Sequence, residues 1–265
     1  MVIPVYDSNP TTRRPYVTWA LIGVTVLAFL LSPVVRGPIF GQPSTAQLCR
    51  QQAYFLEYGA VPTELVHNRP LPYTYGQAAG EGQCFQETPA YHKRPWLSAI
   101  TAIFVHGGWG HLLGNMLFLW VFGNNVEDRF GRLRFLLFYL AVGVLSTYAY
   151  ALTRPGATEP LVGASGAISG VLGAYLLLFP RAKVLSLVSF LFFFPLRLPA
   201  WLVLGFYFVL QAVYAYGVGM GTGGAVAYLV HVVGFVLGVL VVLAAGRRLR
   251  PPPPPARWAY GGPAY

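Results

Sequence analysis

Five stretches of this 265-residue chain are apolar enough and long enough to leave water: residues 16–35, 111–126, 133–153, 198–217 and 226–246. A hydrocarbon core about 30 Å thick takes roughly 20 residues of helix to cross. In that medium only helices and closed barrels satisfy their own backbones. A sixth apolar run, 165–180, is shorter. A seventh, VLSLVSFLFFFPL at 184–196, has 13 residues and carries Pro195. Hydrophobic residues make up 55% of the chain and charged residues 10%. The fold class expected is all-α: a polytopic membrane protein with six transmembrane helices spread over 16–246.

Charge placement sets the orientation. Arg13 and Arg14 precede the first run and no small-x-small cleavage site follows it, so the first helix is retained and residues 1–15 form a short cytoplasmic amino terminus. If 184–196 does not span, the inner side holds 12 of the 18 basic residues and 3 of the 8 acidic ones, as the positive-inside rule requires. Residues 181–197 are then a linker in or on the inner leaflet. The net charge of +10 is explained by topology and anionic lipid, and no aromatic and basic pattern points to nucleic acid. Residues 36–95 form a long external loop, read as compact irregular structure on the membrane surface. It holds both cysteines, Cys49 and Cys84, which an oxidising compartment permits to pair, with two free thiols as the alternative. The tail 247–265 is cytoplasmic, and its run Pro251–Pro255 favours polyproline II over helix. The sequence does not set the oligomeric state.

Polar residues at membrane depth are expensive and therefore informative. His111 and Asn115 are four apart and share a helix face. His106, five before His111, points elsewhere on an ideal helix and anchors its outer end near Trp109. Either His111 or Asn115 alone reads as interhelical glue. Glu127, Asp128 and Arg129 cap the inner end and hold the connection to the third helix. Gly163, Gly166, Gly170 and Gly173 recur at threes and fours, a small-residue face that lets helices approach closely, and Ser165 sits in it. His231, followed by Gly234 and Gly238, belongs to a second such face. With 184–196 not spanning, Ser165, His231 and His111 all lie a few residues below the outer surface. With it spanning, His231 moves about 20 Å away, at 1.5 Å per residue.

The segments HGGWGHLLGN at 106–115, NVEDRFG at 125–131, GASGAISG at 163–170 and HVVGFVLG at 231–238 together resemble the rhomboid intramembrane serine proteases of the bacterial six-helix kind, over roughly 95–245. The resemblance implies that Ser165 is the nucleophile, that His231 is its base, and that His111, Asn115 and the backbone amide of Ser165 form the oxyanion site. It also implies that 218–225 and the fifth helix act as cap and lateral gate, and that the substrates are transmembrane proteins. The chain departs from the family at two positions. Ser169 stands where a tyrosine often stacks on the catalytic histidine, and Val230 where alanine often precedes that histidine.

The residues support such chemistry in their own right. A serine hydroxyl needs a base to take its proton, and an imidazole suits that task. No acidic residue lies near the middle of the second, fourth or sixth apolar segment to orient the base, so the expected machinery is a Ser/His dyad in a cavity open to external water, with packing left to orient His231. The absence of H-E-x-x-H and of paired intramembrane aspartates excludes the other membrane-protease chemistries. No metal or cofactor is expected. The alternatives are a rhomboid-fold membrane protein that binds unstable helices without cutting them, and a transporter.

Overall fold

The computed structural model describes residues 2–36, 44–71, 93–189, 193–217, 226–246 and 249. In chain order these form strand β1 (Val2–Asp7), helix α1 (Tyr16–Leu31), a 3₁₀ turn (Pro33–Arg36), α2 (Thr45–Tyr58), α3 (Pro62–His67), α4 (Pro95–Thr101), α5 (Trp109–Phe130), α6 (Arg132–Thr153), α7 (Ser165–Leu178), β2 (Lys183–Ser189), β3 (Phe193–Pro199), α8 (Ala200–Gly217) and α9 (Val226–Ala245). All six apolar segments expected to be helical are helical. Among the described residues, Tyr228–Ala245 and α6 are long and apolar enough to cross a bilayer, whereas Tyr16–Leu31, Ser165–Leu178 and Ala200–Tyr216 are apolar but shorter.

The centre is α7, whose residues from Gly166 to Tyr175 are all buried among α5, α6, α8 and α9. At 1.5 Å per residue its 14 residues reach about 21 Å, less than a hydrocarbon core. A helix whose ten central residues are shielded by protein has little lipid boundary to match. Its tightest neighbour is α9. A Cβ on Gly234 would overlap the carbonyl oxygen of Gly166, and one on Gly238 that of Gly170. Both pairings advance together along the two helices, so α7 and α9 run parallel. This parallelism brings Ser165, at the start of α7, level with His231, in the second turn of α9.

The all-α expectation needs correction, because the described residues of the segment 184–196 are strands and not helix. They lie in β2 and β3, an antiparallel pair in which Lys183 faces Pro199 and Leu185 faces Arg197, so both ends of the segment lie side by side. Strand β1 pairs antiparallel with β2 from Val2↔Val188 to Asp7↔Val184, so the segment 1–15 contributes a strand to a sheet of order β1-β2-β3. A short apolar run cannot be assigned to strand or buried helix by periodicity alone. The break in register between Pro4 and Tyr6 suits a proline, which has no N–H for the ladder.

At the end of the bundle that carries this sheet, carboxylates join the amino terminus to α5. The Glu127 carboxylate accepts from the backbone amides of Val17 and Thr18 and from the Thr18 hydroxyl, satisfying the first turn of α1, which begins after Pro15 without a side-chain cap. Asp128 accepts from the amide and hydroxyl of Thr12. These residues therefore hold α1 and the segment before it, not the connection to α6, which is the single residue Gly131. Asp7 is buried and accepts from the Asn125 amide at 2.8 Å and the Tyr175 hydroxyl at 2.5 Å. It thereby ties β1 to α5 and α7.

At the other end, most of the described residues of the stretch 36–95 lie in the helices α2 and α3, where irregular structure was expected. A reciprocal pair between Ser44 and Gln47 caps α2. Lys93 is buried, paired with Glu64, and donates to the carbonyls of Leu56 and Gly59. Burial lowers its pKa, against the raising effect of Glu64. Ala60 and Leu161 bridge through both backbone bonds, and the Gly163 amide donates to the Ala102 carbonyl at 2.8 Å. The outer helices thus fix the strand-like lead into α7. Cys49 is in a disulfide; Cys84, its expected partner, lies outside the described residues, as do the loop 218–225 and the run Pro251–Pro255.

Two outcomes follow from this packing. Burial raises the Asp7 carboxyl from 3.8 to about 6, partly offset by the Tyr175 hydrogen bond. A carboxyl with its folded pKa above its unfolded one binds more protons when folded between those two values, so stability falls as pH rises through that window. The melting temperature should therefore rise on acidification from pH 7.5 to 5, and Asp7→Asn should lack that part of the rise, worth about 1–1.5 kcal/mol over this range. Thermal melts of both proteins across this range measure it. Gly234→Ala should force α7 and α9 apart at rigid backbone and cost about 1–3 kcal/mol or more, read as a lower melting temperature.

Candidate active site

A cavity of about 410 Å³ opens between the ends of α5, α7, α8 and α9, and Ser165, His231, His111, Asn115, Tyr207 and Gln211 all line it. The four side chains singled out by sequence are thus brought to one space. Ser165 is the first residue of α7. The leading amides of a helix have no partner within it and sit at the positive end of its dipole, so the turn that carries Ser165 has backbone N–H groups to offer as well as a hydroxyl.

Gly163 shows why the lead into Ser165 is glycine. Its φ is +123°, and a Cβ there would stand 2.7 Å from both Cε1 and Nε2 of His111. No L side chain is comfortable in that conformation, and none would leave room for the imidazole. On the α9 side, Val230 Cγ1 fills the space over Gly166, 2.7 Å from where a Cβ would lie. This packs Val230 directly against the turn that carries Ser165.

Hydrogen-bond partners set the tautomer of each histidine. His231 Nδ1 lies 2.9 Å from Gln211 Oε1. That oxygen only accepts, so Nδ1 carries the proton and Nε2 keeps its lone pair. His111 Nδ1 accepts from the Gly107 amide at 3.4 Å, which leaves Nε2–H as a donor. His106 Nδ1 meets the Phe104 carbonyl at 3.3 Å, and its Nε2 accepts from Asn115 Nδ2 at 2.9 Å. The Asn115 amide is therefore fixed in rotation and retains a second N–H.

His106 was expected to point away from this group, and the structure corrects that. Helix α5 begins at Trp109 after the extended Gly108, so the helical angle between residues 106 and 111 does not apply. The His106 ring packs 5.0 Å from that of His111 and is buried. Trp109 instead meets Phe29 edge to face at 4.9 Å.

Sequence reading left the orientation of His231 to packing and missed Gln211. The signal was present: one amide in the apolar run 198–217 is as costly in lipid as the histidines that drew notice. Tyr207, one turn before it, meets the Ser169 hydroxyl at 3.0 Å. Tyr228 approaches the His231 ring edge-on, with centroids 6.4 Å apart and planes at 88°. Among the described residues no three His, Cys, Asp or Glu side chains converge as a metal site.

Comparison with known proteins agrees with the segments that make this cavity. The rhomboid domain pattern matches residues 93–248. The chain is 35% identical to the mitochondrial rhomboid protein 1 of Saccharomyces cerevisiae over 148 residues, 54% of this chain and 40% of that protein. It is 46% identical to the rhomboid protease GluP of Bacillus subtilis over 81 residues, 31% of this chain and 15% of that one. With presenilin-associated rhomboid-like protein A of Danio rerio the identity is 37% over 112 residues, 40% of this chain and 29% of that protein. The matches cover less than half the length of each of these curated relatives. Because the domain match takes in more than half of its own residues, the chain belongs to the rhomboid family of membrane proteins.

Proposed function

We propose that this protein is an intramembrane serine endopeptidase that hydrolyses peptide bonds in or near transmembrane segments of other membrane proteins. One observation carries the reading: a serine and a histidine on two parallel, glycine-packed helices line the same cavity, level with each other and beside two further donors. The naming of GluP as a protease adds family-level support. In this reading the bundle crosses the cell membrane six times, through α1 and α5 to α9. Both termini and the sheet lie on the cytoplasmic side, and the cavity opens toward the external side.

Nε2 of His231, with its lone pair free, takes the proton of Ser165 as Oγ attacks the scissile carbonyl. The carbonyl oxygen becomes an oxyanion, and three donors suit it: His111 Nε2–H, the free N–H of Asn115, and the Ser165 amide at the positive end of α7. The imidazolium then returns its proton to the leaving amine, and water from the external side repeats the sequence on the acyl-enzyme. Neutral donors that are fixed in advance act where charge develops, with little reorganisation. His106 serves this arrangement indirectly by holding the Asn115 amide.

Purified protein in detergent, incubated with a single-pass reporter substrate, tests the reading. Ser165→Ala should abolish cleavage with the melting temperature kept, and wild-type-like cleavage by that variant would end the proposal. A wild-type protein that captures the reporter without cutting it would indicate a helix-binding role instead. Asn115→Ala and His111→Ala should each lower turnover by about 10²–10³ and reduce stability far less. Intact turnover combined with a collapsed melting temperature would make them packing residues.

A further inference from the structure

Helix α8 presents one stripe of side chains, at 207, 211 and 214, to its neighbours. Tyr207 meets Ser169 of α7 at 3.0 Å, Gln211 meets His231 of α9 at 2.9 Å, and Tyr214 stacks on Tyr228 of α9 with centroids 5.1 Å apart. These spacings of four and three place all three on one helical face. The outer contacts fix the rotation of α8, and that rotation aims the amide of Gln211. The amide oxygen does for the imidazole what a carboxylate does in a triad, without bringing a charge into lipid: it fixes the ring plane and keeps the proton on Nδ1.

We propose that Gln211 is a positioning residue for His231, so that α8 supplies the group that orients the base of the Ser/His dyad. This rests on the serine-protease reading above. The position of α8 then sets the reactivity of the dyad. Displacement of this helix by a few ångströms removes the acceptor from Nδ1, and the ring loses both its fixed tautomer and its fixed orientation. Ser169 leaves room for this arrangement. A larger side chain there would occupy the space in which Tyr207 reaches α7.

The full-length protein, with Gln211→Met, Gln211→Glu and Gln211→Asn, tests the role. Methionine matches the length of glutamine without an acceptor, glutamate keeps the acceptor at the same reach, and asparagine shortens it. Three quantities are measured: the rate at which a fluorophosphonate labels Ser165, kcat and KM on the reporter, and the melting temperature. Gln211→Met is expected to lower both labelling rate and kcat by about tenfold to a hundredfold, the scale at which loss of an orienting partner acts, with KM within about twofold. Gln211→Glu should recover most of the loss. Should the methionine variant fail to fold, the contrast between asparagine and glutamate carries the same comparison. Equal losses in the acceptor-bearing and acceptor-free variants, or wild-type labelling in Gln211→Met, would overturn the positioning role and leave the protease reading standing. A wild-type protein that labels no better than Ser165→Ala would overturn the protease reading, and the positioning role with it.

Discussion

The cavity depends on backbone touching backbone between α7 and α9. In lipid there is little hydrophobic gain from joining two helices, so close van der Waals packing has to supply the attraction. Gly166 and Gly170 of one helix, with Gly234 and Gly238 of the other, permit an approach that a single methyl group would block. A parallel pair locked at this separation also fixes the relative height of every residue along it. Ser165 stands one residue before Gly166 and His231 three before Gly234, so the packing that joins the helices also brings hydroxyl and imidazole level. The site inherits its geometry from glycines that carry no chemistry.

Around that contact, α7 is held at both ends by elements outside the apolar helices. At its start, the amide of Gly163 is bonded to Ala102, and the preceding strand is bridged to Ala60. Near its finish, Tyr175 donates to Asp7 of the amino-terminal strand. Helix α7 is therefore fixed at both ends by polar bonds to segments outside the apolar helices, through partners that are themselves buried. This division suits a protein in which one cavity must be polar while its surroundings are not. The polar bonds sit at the two ends of α7, and glycine packing covers the interval between them.

Much of this was legible in the sequence because lipid penalises exceptions. Apolar runs located the helices, and Ser165, His231, His111 and Asn115 stood out as polar groups in costly positions. Three features were hidden for specific reasons. Strands β2 and β3 have an apolar content that resembles a buried helix, and their partner β1 lies about 180 residues away in sequence, where no local pattern points. His106 was assigned to a helix that the glycines at 107 and 108 prevent from starting before Trp109. Gln211 was hidden because it is the one amide in its apolar run and lies outside the four segments that carry the family resemblance.

A base can be oriented without a buried carboxylate. An ionised acid taken out of water incurs a desolvation cost that a neighbouring neutral imidazole cannot offset. A glutamine avoids the cost and still distinguishes the two ring nitrogens, since its carbonyl oxygen accepts only from Nδ1–H. The same economy governs the opposite wall, where His106 reads the Asn115 amide and Gly107 reads His111. Each histidine at this cavity is thus assigned its tautomer by a neutral neighbour. One imidazole, His231, offers a lone pair, and a second, His111, offers a proton. Two residues of the same type can then serve opposite roles within one cavity, and what separates them is the partner each meets at Nδ1 rather than any difference in charge.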